Sequence, residues 1–259
     1  EASKFADLWI SPKQGTDSAL GMAMGHVILR EFHIARQAKY FQDYARQYTD
    51  MPMLVRLVKQ GEHYVPERFL RASDFIKGFD EANNPEWKTV AYDEATGAVV
   101  VPKGSVGFRW GEKGKWNLQE QASDGQATKL RLSLNDVKDG VASVGFPYFG
   151  NREHDHFLGT DHPGVLLRNV PTKTLQLVEG DTVVASVYDL FVANYGLDCG
   201  LGGDNLAKSY DDVEPYTPAW AEKITGVPRD QIITTAREFA LNAEKTNGRS
   251  MVIVGAGLA

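Results

Sequence analysis

Met251-Val252-Ile253-Val254-Gly255-Ala256-Gly257 is a short apolar, largely β-branched run that enters a glycine turn. A buried strand feeding such a turn is how a nucleotide-binding βα unit opens, because glycine lets the backbone approach a phosphate closely. A plain strand-to-turn connection uses the same residue types, so the Gly-x-Gly by itself leaves both readings open. Just upstream, Pro228 starts a helix whose apolar face is Ile232, Ile233, Ala236, Phe239 and Ala240, and Asn247-Gly248 breaks it. Helix, turn and buried strand in that order predict an α/β fold with parallel-sheet layers. The chain stops at Ala259, where the next helix is due, so the sequence is expected to be a piece of a longer protein.

Working outward, three zones differ in texture. Residues 1–80 read as a helix-rich α/β part. Leu20, Met24, Val27, Ile28 and Phe32 form one apolar stripe over 18–32, with Asp17 placed to cap that helix, and further short helices are expected over 41–48 and 53–58. Residues 81–190 read as an irregular, strand-poor insertion rich in Gly and Pro, with a hairpin around Glu179-Gly180-Asp181. Residues 191–259 read as a helical pair leading into the first strand of a second α/β unit, the first helix opening at Thr217-Pro218 and stopping at Thr225-Gly226-Val227.

Composition removes several classes. The 259 residues carry 28 Lys+Arg against 34 Asp+Glu, a net charge of −6, which gives no electrostatic footprint for nucleic acid. No apolar run approaches the roughly 20 residues that cross a bilayer. A single cysteine, Cys199, rules out an internal disulfide and any thiolate cluster for zinc or iron–sulfur within this sequence. These features predict a soluble, globular, cytosol-compatible chain.

Gly15-Thr16-Asp17 follows the apolar run Leu8-Trp9-Ile10 and leads into the first helix. Backbone N–H groups and a carboxylate then sit at a helix N-terminus beyond a strand end, where α/β folds bind ligands. A carboxylate holds phosphate poorly but accepts the paired N–H donors of a guanine or pterin edge. The plainer reading is that Asp17 only caps the helix. Glu153-His154-Asp155-His156, with Asp161-His162 behind, has metal-ligand chemistry, yet its Gly and Asn surroundings favour a solvated loop. His26 and His33 favour packing over ligation. Gly107–Asn117, with two Trp and three Gly among its charges, suits an anion-facing loop or a tight surface turn. Cys199 has no activating neighbour in sequence, and no nucleophile triad stands out.

Several stretches together resemble one family. Trp9–Asp17 and Ala23–Val27 look like the molybdopterin-guanine-dinucleotide oxidoreductases. Tyr48–Val55, Gly107–Asn117, Val144–Gly150, Tyr210–Val213, Thr217–Glu222, Ile224–Val227 and Gly248–Leu258 narrow this to the catalytic alpha subunits of membrane-bound respiratory nitrate reductases. The resemblance implies a central fragment of a molybdopterin oxidoreductase scaffold. It implies reduction of nitrate to nitrite with a molybdenum bis(molybdopterin guanine dinucleotide), an iron–sulfur beta subunit, a membrane-anchoring haem gamma subunit and a place on the cytoplasmic face of the membrane. The family's dinucleotide contact carries over to Gly15, Thr16 and Asp17, and its later glycine turn to Gly255, Ala256 and Gly257. There the family pattern continues with asparagine where this chain has Ala259. The family's iron–sulfur motif and its molybdenum-ligating aspartate lie N-terminal to the matched region, so no catalytic residue and no metal ligand is assigned here.

Two other readings remain at this stage. The same scaffold runs in reverse in nitrite oxidation, since direction depends on redox partners. A non-catalytic docking domain is the third, with Trp87, Trp110, Trp116 and Tyr148 as partner-facing aromatics.

Overall fold

The computed structural model describes residues 4–75, 85–104, 118–122, 125–147, 154–155, 160–161 and 165–253, with only the backbone of 154–155 and 160–161. The combination of helices and sheet holds, but the expected parallel-sheet layers give way among the described residues to a small, mostly antiparallel barrel with a helical layer beside it, because successive strands pair as hairpins. Five strands close the barrel: β1 (Leu54–Gln60), β2 (His63–Phe69), β5 (Gly140–Pro147), β8 (Val165–Leu177) and β9 (Gly180–Ser186). Two short two-stranded ribbons lie outside it, β3 (Ala91–Tyr92) with β4 (Val99–Val100), and β6 (His154–Asp155) with β7 (Thr160–Asp161). The barrel pairings are antiparallel except for β2 beside β5, which meet in parallel through Tyr64 and Val144.

Two expectations change here. Residues 53–58 form strand rather than helix: β-branched Val55 and Val58 sit in Leu54–Gln60, and the segment gains neighbours on both sides, β2 and β9. The stretch from 81 to 190 holds β5, β8 and β9, so it is richer in strand than its pattern suggests. Asn169 and Pro171 interrupt the apolar alternation of the 13-residue β8 without ending it. The hairpin is present, with Leu177 opposite Gly180. At the other end of the chain, Met251, Val252 and Ile253 are irregular and exposed (77%, 69% and 81%) rather than a buried strand. Gly255, Ala256 and Gly257 lie outside the described residues.

The helical layer follows its caps. α1 (Asp17–Ile28) has Thr16 at its N-cap and runs on into a π-helical segment, Leu29–Ala35. α2 (Lys39–Tyr48) follows. α3 (Val187–Asn194) leaves the barrel from β9, and Ser186 Oγ caps it by accepting from Asp189 N at 3.0 Å. α4 (Pro218–Thr225) has proline in its first turn and ends on left-handed Gly226, φ 75°. α5 (Arg229–Thr246) ends on left-handed Asn247, φ 55°. α1 lays Ala19 and Ala23 against Trp220, Ala221 and Ile224 of α4 and Ile232 of α5. Trp220 is 1% exposed and meets Tyr216 edge-on at 5.2 Å. No described helix is long and apolar enough to cross a membrane.

Leu190 and Ala193 of α3 pack on the apolar side of the barrel, and one buried side chain adds a polar joint between barrel and helices. Arg168 of β8, 1% exposed, donates to Ala193 O (2.8 Å) and Asn194 O (2.7 Å) at the end of α3, and to Asp204 O (3.1 Å), Asn205 O (3.3 Å) and Pro215 O (3.3 Å). Burial lowers its pKa to about 10, which still leaves it charged at neutral pH. The backbone comes close enough for this only at glycine: a Cβ on Gly203, φ 139°, would sit 2.7 Å from Arg168 Cα.

Two buried histidines complete the core of α1 and its extension. His26, fully buried, shares a 3.0 Å hydrogen bond with Tyr195 O, so Nδ1 is the donor and Nε2 carries the lone pair. His33 packs between Phe41 and Tyr188 at 5.4 and 6.0 Å. Burial holds both imidazoles neutral, with pKa values lowered to about 4.

Arg168→Met should destabilise the chain by about 3–5 kcal/mol, because several buried carbonyls lose their donor together. Arg168→Lys should recover only part of that, since an ammonium has three donors and no fork. Urea denaturation of the three proteins tests this, and equal midpoints would show that the carbonyl cage contributes nothing. A second prediction concerns pH. Each histidine is depressed in the folded state relative to 6.5, so the stabilisation is complete above pH 6.5 and is lost as pH falls through about 4. Asp189, raised to about 6 by burial, acts with the opposite sign, and the two histidines outweigh it. Denaturant midpoints should fall between pH 6.5 and 4, and less steeply in His33→Phe; identical slopes would count against it.

Candidate functional site

The loop before α1 is shaped by its own hydrogen bonds. Thr16 Oγ1 donates back to Lys13 O at 2.6 Å, and Thr16 N to the same carbonyl at 3.2 Å, which closes a tight turn at 4% exposure. Gly15 takes φ 76° in that turn, and a Cβ there would meet nothing within 4 Å. The positive φ, not crowding, is therefore what favours glycine. Lys13 N donates to Thr225 O at 2.9 Å, so the loop is fastened to the last turn of α4, and the Lys13 stem lies over Gly226.

This geometry separates the two readings of Asp17. Thr16, not Asp17, occupies the N-cap; Asp17 is the first residue of the helix proper and half-buried. Among the described residues no hydrogen bond or ion pair engages its carboxylate. In the first turn beside it Ala19 N donates to Thr16 O at 3.0 Å, and the helix dipole favours negative charge at this end. The outcome is an ionised acceptor at an open helix start, next to a backbone turn with free space above Gly15. That combination suits a planar edge presenting two N–H donors. Thr16 contributes its turn, since its hydroxyl proton is already committed to Lys13.

The second glycine turn, Gly255, Ala256 and Gly257, lies outside the described residues. So do Gly107–Asn117 and the side chains of His154, Asp155 and Asp161; the described backbone there is the β6–β7 ribbon. Among the described residues no three of His, Cys, Asp and Glu converge as a metal site. His26 and His33 are packing groups, as their sequence surroundings suggested. Cys199 is exposed as a residue, while partial desolvation of its sulfur, together with the Asp189 and Asp198 carboxylates, pushes the thiol up to about 11, the reverse of an activated nucleophile. Sequence reasoning missed Arg168 and Asp189. Asp189 accepts from Leu134 N and Ser186 Oγ, both at 2.8 Å, and pins the 133–134 strip to α3. Only the Ser186-to-Asp189 capping spacing signals it in the sequence.

No protein-family model matches the chain. Comparison with individual proteins is decisive. The respiratory nitrate reductase 1 alpha chain of Escherichia coli (strain K12) is 57% identical over 260 residues, covering all of this chain and 21% of that protein. The respiratory nitrate reductase 2 alpha chain of the same organism is 58% identical over the same span and share. The nitrate reductase alpha chain of Bacillus subtilis (strain 168) is 44% identical over 259 residues, all of this chain and 20% of that protein. The chain spans about a fifth of the length of these relatives. Over its whole length it belongs to the respiratory nitrate reductase alpha-chain family, as a partial region of that catalytic subunit.

Proposed function

We propose that this region serves a molybdenum-dependent reduction of nitrate to nitrite by forming one edge of the binding site for the guanine dinucleotide cofactor. The observation that carries the reading is the uncommitted Asp17 carboxylate beside the open Gly15–Thr16 turn. Asp17 accepts the two N–H donors of a guanine edge, Gly15 keeps side-chain atoms away from it, and Thr16 fixes the turn. On the family resemblance, Gly255, Ala256 and Gly257 contact the same polyanionic cofactor. When bound, the molybdenum group supplies the oxygen-atom acceptance that converts nitrate to nitrite. This chain binds and orients; the acid–base and metal-ligating residues belong to the rest of the subunit.

On the same reading residues 1–80 carry the cofactor edge, 81–190 are an insertion whose strands complete the barrel begun by β1 and β2, and 191–259 are a helical pair leading into a second α/β unit. The cofactor is the bis(molybdopterin guanine dinucleotide) form. The parent complex includes an iron–sulfur beta subunit and a haem gamma subunit at the cytoplasmic face of the membrane. The identity to the Escherichia coli and Bacillus subtilis alpha chains supports the nitrate-reducing direction over nitrite oxidation.

Guanosine monophosphate should bind this chain in preference to adenosine monophosphate. Asp17→Ala should weaken that binding roughly ten- to a hundredfold, the contribution of charge-assisted hydrogen bonds. Calorimetric titration tests this; equal affinity for both nucleotides, or none lost in Asp17→Ala, would remove Asp17 from the site. In the full-length subunit the same substitution should lower bound molybdenum and nitrate reduction together. The 259-residue chain alone should show no viologen-linked nitrate reduction, and measurable turnover would overturn the division of labour proposed here.

A further inference from the structure

A cleft of about 450 Å³ opens between the π-helical segment, the 131–136 strip and the end of α3. Its volume lies within the range of small-molecule sites. Several independent irregularities converge on its wall. Leu29–Ala35 is π-helical, a rare geometry that concentrates at functional sites. Gln37 stands at φ 46° without being glycine or asparagine, a strained position. His33 is 7% exposed, and its Nδ1 is buried with no partner among the described residues. Arg131 likewise has a buried Nε with no partner among them.

The charges on this wall are unequal in what they still need. Arg168 is saturated by carbonyls, and Asp189 by Leu134 N and Ser186 Oγ. Glu94 is paired with Lys129 at 2.5 Å, and Asp198 Oδ1 accepts from Gly200 N at 2.7 Å. Arg46 donates Nε to Leu130 O at 2.9 Å. Arg131 is different. Its side chain is 17% exposed, and Nη1 has only a loose partner, Asp136, 3.6 Å away and 86% exposed. Its Nε is buried and has no hydrogen-bond partner among the described residues. The Nε edge carries two parallel N–H donors, the match for a carboxylate, and a buried donor left unpaired is costly.

We propose that this cleft is a carboxylate-binding site in which the Nε edge of Arg131 holds the two oxygens and His33 closes the buried end. The carboxylate comes either from a free organic acid or from an aspartate or glutamate of the polypeptide outside this chain. The site is independent of the cofactor edge at Asp17.

The test follows the Arg131 Nε–Hε resonance of the ¹⁵N-labelled chain during titration with acetate and succinate, with acetamide as the uncharged isostere. Acetate and succinate should shift and sharpen it, and acetamide should not. Arg131→Lys should weaken binding roughly tenfold, since an ammonium cannot form the fork. Asp136→Asn, at an exposed position that does not threaten folding, should tighten binding severalfold by removing the competing carboxylate. The full-length alpha subunit is then titrated the same way and its structure determined. Binding to both proteins assigns a free acid. Binding to the chain alone, with an Asp or Glu side chain on Arg131 in the full-length structure, assigns the polypeptide source. Acetamide binding as well as acetate, no response to Asp136→Asn, or no binding to the chain together with no carboxylate on Arg131 in the subunit would each overturn the proposal.

Discussion

The fold depends on a guanidinium that has left water without finding a carboxylate bonded to it. Arg168 is buried in β8, and its donors are spent on backbone carbonyls from three places: the end of α3, the 204–205 turn and Pro215. Burying a charge is expensive unless every donor is used. The cage meets that condition, and the arrangement is favourable for a second reason. Ala193 O and Asn194 O are the terminal carbonyls of α3, the negative end of its dipole, and Ala193 O also accepts from Gly196 N at 2.9 Å. One side chain thus closes a helix end and ties the loop that leaves it to the barrel wall.

From that joint the geometry passes to the candidate cofactor edge. Pro215, held by Arg168, is followed by Tyr216, whose ring meets Trp220 edge-on; Trp220 and Ala221 receive Ala19 and Ala23 of α1. Small residues on α1 set its distance. Gly25 is the clearest case, since a Cβ there would fall 2.8 Å from the Tyr195 ring. The far end of α4 then holds the loop before α1, through Thr225 O and Lys13 N. Asp17 is placed by helix packing and one backbone hydrogen bond, not by contacts of its own carboxylate, and so the carboxylate remains available.

The sequence made some of this legible and hid the rest for physical reasons. α4 and α5 were readable because their ends are local: Thr217-Pro218, Gly226 and Asn247-Gly248 set dihedral angles without help from elsewhere. β1 was not, because Met53–Val58 is short and largely apolar, and whether such a run becomes strand or helix is decided by neighbours, here the hairpin partner β2 and, from distant sequence, β9. At the cofactor edge the motif was legible, but the distribution of roles within it was not. Thr16 takes the N-cap position without a side-chain cap, its hydroxyl donating back to Lys13 O, and Asp17 is the first residue inside the helix. Arg168 was invisible: nothing local marks an arginine inside a strand as a hub for carbonyls that arrive from residues 193 to 215.

Open valences, more than residue type, distinguish the groups that matter here. Asp93 and Arg168 are the most deeply buried charges among the described residues, and both are fully used by the chain, so burial by itself marks structure rather than binding. Asp17 and Arg131 are less buried and incompletely used, one an acceptor that lacks donors and the other a donor that lacks an acceptor. Their needs are opposite: the N–H edge of guanine suits Asp17 and gives a guanidinium nothing to bind, whereas a carboxylate suits Arg131 and is repelled by Asp17. The two proposed sites therefore call for different groups. Only the Asp17 chemistry is visible as a contiguous motif, since the donors and walls around Arg131 are assembled from the π-helical segment, the 131–136 strip and the end of α3.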